Sequence, residues 1–194
     1  LEVVQGRGFA QPTPSPMFPN PPGLLRLEPF SEGLRRRIWW GAGNRASAEW
    51  TAGKGMNLMS STLLTEDTGI PFHQAQAEQI RVYRDAWAAA GHDWEPRVSV
   101  SRSIFALVDD RDHAYFGGHG EEGDQVGYLD GGSARFGPSY AAEPDVLVEQ
   151  LAKDEAIAAA DTLLLTVPNQ LGGDYNAHVI ESILTHVAPG LGWR

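Results

Sequence analysis

The stretch Arg37-Ile38-Trp39-Trp40-Gly41-Ala42-Gly43-Asn44-Arg45-Ala46-Ser47 reads as a strand, a glycine turn and the first turn of a helix. Ile38, Trp39 and Trp40 form a short apolar run rich in strand-forming residues. Gly41 and Gly43 bracket the turn, where a missing Cβ permits close backbone approach. Asn44 is an N-cap candidate. A helix starting there aims free N–H groups and the positive end of its dipole at the turn, an arrangement that binds phosphate. A lone Gly-x-Gly is a weak motif, and a strand–turn–helix connection without a ligand reads equally naturally from the local pattern.

Outward from that unit, the same alternation recurs. Met56 to Ser61 reads as a second strand, followed by a loop over Thr62 to Gly69. Phe72, Gln76, Ile80, Tyr83, Trp87 and Ala90 then recur at helical spacing between Pro71 and Gly91. Arg97 to Leu107 is a third strand, followed by a short helix over Asp109 to Phe116. Pro144 opens a helix predicted to run unbroken to about Ala160. Thr162 to Val167 is a fourth strand, and Asp174 is expected to cap a last helix that ends near Pro189. The strands are nearly all apolar, which predicts burial on both faces of a parallel sheet. Four βα units fit a small doubly wound sheet or half of a barrel.

Two segments interrupt the pattern. Residues 1–31 read as the end of a helix, over Leu1 to Val4, plus a connector with six prolines between Pro12 and Pro22. That density excludes helix and interior strand and predicts an extended segment lying on a surface. The rest, 32–194, forms the main body. It carries an acidic, Gly-rich insertion at about 117–143, expected to be a loop of the lid or binding kind.

The 194 residues suit one domain with a real core. A formal charge of −10 argues against nucleic acid and anionic membranes as partners. Without Cys there is no disulfide framework, no thiolate metal site and no Cys nucleophile. No apolar run reaches a membrane span of about 20 residues, and no signal peptide is visible. A cytoplasmic protein is expected. The histidines, His178 included, show no metal-ligand spacing, so no metal site is expected.

The segments "RIWWGAGNRASAEWTAGKGMNLMSSTLL" (37–64), "QAQAEQIRVYRDAWAAAGHDWEPRVSVSRSIF" (74–105) and "DTLLLTVPNQLGGDYNAHVIESILTHVAPGLGWR" (161–194) resemble the bacterial luciferase-like monooxygenase family. The resemblance implies a (β/α)8 TIM barrel, of which this chain matches the C-terminal half, strands five to eight. It implies FMN as cofactor, or a deazaflavin in one branch. The expected function is a flavin-dependent monooxygenase or oxidoreductase acting on a small-molecule substrate. Carried over by position, the flavin phosphate falls on Gly41, Ala42, Gly43, Asn44 and Arg45, a turn expected to lack any nearby carboxylate. Ser60, Ser61, Thr62 and Arg102 fall near the rim where cofactor or substrate sits, although hydroxyls bonded to local backbone and an ion-paired arginine are the structural alternatives. Half a barrel leaves strand edges and an inner face open, so a homodimer or a missing N-terminal half is the expected partner. The alternative function is a non-catalytic half-barrel acting as an assembly module.

Overall fold

The computed structural model describes residues 1–193 except 15, 16, 18, 21, 119–124, 130 and 131; Ser15, Pro16, Phe18 and Pro21 of the connector, His119, Gly120, Gly123 and Gly131 of the insertion, and Arg194 lie outside that set. Strand β1 (Trp39–Ala42), helix α1 (Arg45–Gly53) and strand β2 (Asn57–Ser60) form the first unit. A two-residue strand β3 (Leu63–Leu64) precedes helix α2 (Phe72–Ala90) and the long strand β4 (Val98–Ala106). Helix α3 (Asp110–Phe116) follows. Then come β5 (Gln125–Leu129), β6 (Gly132–Phe136), β7 (Ser139–Ala142), α4 (Pro144–Ala152), α5 (Glu155–Ala159), β8 (Thr162–Leu165) and α6 (Gly172–Ser182).

The protein is therefore α/β, organised on a parallel sheet. Strands β1, β2, β4 and β8 lie side by side in that order, all parallel. The upper half of β4 also takes β7 as a parallel neighbour, from Ser103↔Ser139 to Ala106↔Ala142. A separate antiparallel sheet runs β3-β6-β5. The Gly-rich insertion is thus not simply a loop: its described residues supply three strands, one of them built into the main sheet. Among the described residues the sheet does not close into a barrel, and no helix is long and apolar enough to cross a membrane.

Helices α1, α2, α4, α5 and α6 pack against one face. Leu58, Val98 and Val100 pack there against Ala48, Ala52, Ile80, Tyr83 and Trp87 of α1 and α2. A second cluster joins Ile104 to Leu147, Leu151, Tyr175, Val179 and Ile183. On the opposite face Gly41, Met59 and Leu164 are exposed and Ser101 and Ser103 are half-buried. The expectation of strands buried on both faces is corrected here: their apolar runs face helices on alternate residues, and of the residues between them Gly41, Met59 and Leu164 stay exposed while Phe105, at the end of β4, stacks on Phe116 of α3.

Two helix predictions also change. The helix opened by Pro144 breaks at Lys153, because Asp154 leaves the helical path to cap α5, accepting bonds from the Ala156 and Ile157 N–H groups at 3.0 Å each. Asp154 also holds the buried Arg102 in a two-toothed ion pair of 2.7 and 3.0 Å. The last helix starts at Gly172, ahead of Asp174, and its Asp makes no cap; after Ser182 it widens into a π turn over Ile183–Val187. The connector touches itself through the antiparallel bridge Ala10↔Leu25, with Phe9, Met17 and Leu24 exposed.

Candidate functional site

The C-terminal ends of the parallel strands hold the residues that sequence singled out. Asn44 caps α1 as predicted, its side chain accepting from the Ser47 N–H at 2.8 Å. The Asn is extended (φ −154°), so its short polar side chain reaches the first turn without helical strain. Gly41 is open: a Cβ there meets nothing within 4 Å. Gly43 is closely approached, its carbonyl accepting from Thr65 N–H at 2.9 Å and a Cβ lying 3.6 Å from the Leu63 carbonyl oxygen. Ala42 is buried between strand and helix.

The turn is not free of carboxylates, which corrects the sequence reading. Glu66, from the loop after β3, accepts from the Arg45 backbone N–H at 3.3 Å and from its guanidinium at 3.1 Å. Glu78 of α2 lies 3.7 Å from the same guanidinium. A carboxylate thus already sits where the helix dipole favours negative charge. Nothing local in the sequence announces it, since Glu66 is 21 residues from Arg45.

Two glutamines of α2 lock this end of the sheet. Gln79 accepts from the Ser60 hydroxyl at 2.6 Å and donates to the Ala42 carbonyl at 3.0 Å. Gln76 donates to the Ser61 carbonyl at 2.8 Å, while its own carbonyl oxygen is buried without a partner. Two buried glutamines three residues apart in an apolar helical stripe were the readable signal for this role. Ser60 is consequently buried and structural. The Ser61 hydroxyl accepts from Leu63 N–H at 3.3 Å, and Thr62 is exposed.

Arg102 turns to the helix side of the sheet, as its alternation with Val100 and Ile104 requires. Besides Asp154 it donates to the Ser101 carbonyl at 2.8 Å. Burial by itself would raise the Asp154 carboxyl; the bonds and charge of Arg102 outweigh that and hold it below its ordinary value. Burial and Asp154 together push the Tyr140 phenol up, and that phenol donates to Asp154 at 2.9 Å. Arg102 is therefore committed to an internal pair. It still borders a small cleft of about 60 Å³ with Thr62, Ser101, Ser103, Gly137 and Thr166. The hydroxyls of Ser101 and Thr166 meet there at 3.1 Å.

A second polar cluster, not anticipated from sequence, lies beyond the end of β4. Asp109, Asp112 and His178 bring one ligand-type atom each within 4.8 Å of one another. Asp112 is buried and accepts from Tyr175 at 2.5 Å, from Val108 N–H at 3.1 Å and from Asp109 N–H at 3.2 Å. The His178 Nε2 stands 2.9 Å from the same carboxylate. Burial would raise the Asp112 carboxyl, but the Tyr175 and His178 bonds hold it below its ordinary value. A cation here would displace these partners. The arrangement acts as a clamp fastening α6 to α3, with Asp109 and Asp112 forming the capping box of α3.

The sequence matches no protein-family model and no curated protein. Its structure is similar to that of the monooxygenase RslO1 from Streptomyces bottropensis: TM-score 0.50 and 16% identity, covering 78% of this chain and 47% of that one. It is also similar to a type II Baeyer-Villiger monooxygenase, the oxygenating constituent of 3,6-diketocamphane monooxygenase from the CAM plasmid of Pseudomonas putida, in complex with FMN. There the TM-score is 0.50 and the identity 17%, over 79% of this chain and 48% of that one. The chain spans about half the length of these proteins.

Proposed function

We propose that this chain is one half of a flavin-dependent monooxygenase or related oxidoreductase. In this reading β1, β2, β4 and β8 with their helices stand as units five to eight of a (β/α)8 barrel. The carrying observation is the β1–α1 turn: an open glycine, an Asn-capped helix start and a cation at the end of a parallel strand. The two similar monooxygenases, one holding FMN, support it at the level of fold.

The residues present fit a phosphate, on one condition. The α1 first-turn N–H groups and the Arg45 guanidinium are suitable donors, and Gly41 leaves room. Glu66 holds two of those donors and must swing away. FMN, once reduced by an external electron donor, would supply the two electrons with which one oxygen atom of O2 enters a small organic substrate and the other leaves as water. The chain's own residues have other tasks. Arg45 and the helix start neutralise the phosphate. Gln76 and Gln79 fix the strand ends. Thr62, Ser101, Ser103 and Thr166 offer hydroxyls to the face where the ring or substrate lies. A second reading, an assembly module without catalysis, is favoured by one specific observation: the inner face of the sheet is open.

Titration with FMN, riboflavin and a deazaflavin phosphate, followed by flavin fluorescence, tests the proposal. FMN should bind more tightly than riboflavin, and Arg45→Ala should abolish the difference. Equal binding of FMN and riboflavin would refute the phosphate turn. Preference for the deazaflavin would move the chain to hydride-transfer chemistry, and binding of none of the three would leave the assembly reading.

A further inference from the structure

We propose that two copies of this chain join edge to edge, β1 of each on β8 of the other, so that each copy supplies the facing wall of the other's hydroxyl-lined end. The proposal rests on the shape of the sheet and stands whether or not a flavin binds.

Both outer strands have an unpaired edge among the described residues, and both are four residues long: Trp39–Ala42 and Thr162–Leu165. They run parallel to each other in the sheet, so a two-fold axis along the strand direction brings β1 of one copy beside β8 of the other in parallel. Of the registers that match the faces, one overlaps both strands along all four residues. Trp40 and Ala42 share the helix side with Leu58 and Ser60, as Leu163 and Leu165 share it with Val100 and Arg102. Setting Trp40 beside Leu163 keeps every side chain on its own face, and Gly41 then adjoins Leu164 across the inner face.

The surfaces behind the two edges are complementary. Behind β1, Trp40 and Trp50 form an exposed pair with ring centres 5.0 Å apart. Behind β8 lies a groove of about 650 Å³ whose apolar side chains include Ile157, Leu163, Leu165, Ile183, Leu184 and Trp193, with Asp161 and Thr162 on its wall. An exposed aromatic knob and a groove with apolar side chains to receive it, each beside an unpaired strand, are what strand addition uses.

Charge agrees at the N-terminal end of the seam. The exposed Arg36 and Arg37 come just ahead of Ile38 and β1, and the exposed Asp161 immediately precedes β8. In the register given, Asp161 comes opposite Ile38, with the two arginines next along the seam. Arg84 lies 3.5 Å from Asp161, and Asp93 lies 3.6 Å from Arg36, so the contact forms within a mixed patch. The formal charge of −10 repels two copies at long range. Screening over about 8 Å at physiological salt leaves the short-range contacts to decide.

The four strands that run from edge to edge in each copy, β1, β2, β4 and β8, give eight, the number that closes a parallel barrel, while β7 pairs only with the upper half of β4. The inner residues Met59, Ser101, Leu164 and Thr166 would then face their symmetry mates instead of water.

The chain has no Cys, so introduced thiols report alone. Gly41→Cys is sterically open, and Leu164→Cys changes an exposed side chain. Mixing the two single variants with a short bismaleimide should give a 41–164 cross-linked dimer, with 41–41 and 164–164 products at least tenfold weaker. Sedimentation should give twice the 21.1 kDa chain mass at micromolar concentration. Trp40→Glu, at an exposed site, should return the monomer with its circular dichroism unchanged. A monomeric wild type, equal yields of all three cross-links, or a dimer unaffected by Trp40→Glu would each overturn the proposal.

Discussion

At the N-terminal ends of β1 and β2, polar side chains, aromatic rings and backbone groups interlock densely. Asn57 ties three backbone groups, donating to the Arg36 and Ile38 carbonyls and accepting from Arg97 N–H. The rings of Trp87, His92 and Trp94 pack tilted and edge-on, with centres within 5.3 Å of one another. Arg35 lies over Trp94 and donates to the Lys54 and Gly55 carbonyls at the end of α1. Gly55 (φ +62°) is needed there, since a Cβ would come within 2.9 Å of both Arg35 and His92. At the C-terminal ends the picture reverses. Glycines, unfilled space and half-exposed hydroxyls predominate, and a carboxylate rests where an anion is favoured. One end is spent on stability and the other left available, the division expected of parallel α/β proteins. Between them lies Arg102–Asp154, buried but near the open end, and its behaviour shows where one regime gives way to the other.

Breaking that pair should have the largest effect. Asp154→Ala leaves the Arg102 charge buried and uncaps α5, and should cost about 3–5 kcal/mol in chemical denaturation. The pH dependence has a defined sign. Asp154 and Asp112 have folded carboxyls held below their ordinary values. Each therefore contributes stability that is fully present above the ordinary carboxylate range and lost as pH falls through the folded value. Acid denaturation midpoints should shift less with acid in Asp154→Ala than in the wild type. If Asp154→Ala costs under about 1 kcal/mol, the pair belongs with the loosely held open end.

The packed end comes next. Arg35→Met keeps the stem over Trp94 but loses the bonds to the two carbonyls, for a cost of about 1–3 kcal/mol. Proteolysis of the 54–56 segment should rise with it. An equal cost for Arg45→Met at the open end would erase the contrast between the two ends. Glu66→Gln should separate them in the opposite sense. Removing the carboxylate that competes at the α1 start should raise affinity for inorganic phosphate or FMN about tenfold, near 1.4 kcal/mol, while stability changes by less than about 0.5 kcal/mol. Unchanged or weaker phosphate binding in isothermal titration would mean that Glu66 is not guarding an anion site.

What the sequence made legible was local. The β1–turn–α1 unit, the Asn44 cap and the long α2 depend on neighbours a few residues apart, and periodicity and capping report those directly. What it hid depends on distant partners. Asp154 looks like one more polar residue on a continuous helix until Arg102, 52 residues away, supplies the reason for the break. Glu66 looks like loop charge until it lands on Arg45. Gln-Val-Gly-Tyr-Leu at 125–129 is too short and glycine-bearing to announce a strand without its partner β6. The clamp of Asp112, Tyr175 and His178 spans 66 residues, so no spacing rule could have found it.

Asn44 is where the local and the distant meet, and it gives the smallest of these effects and the sharpest test. Asn44→Ala removes one cap bond and should cost about 1 kcal/mol; Asn44→Gly, which keeps the backbone freedom of a cap, should cost only a few tenths. Both leave Arg45 and Glu66 in place. If the open end is organised by the α1 start, hydrogen exchange at Ala46 and Ser47 should quicken in Asn44→Ala while exchange beside Asn57 stays slow. Faster exchange at both ends would instead mean that the sheet frays as one body, and that the open end is no more available than the packed one.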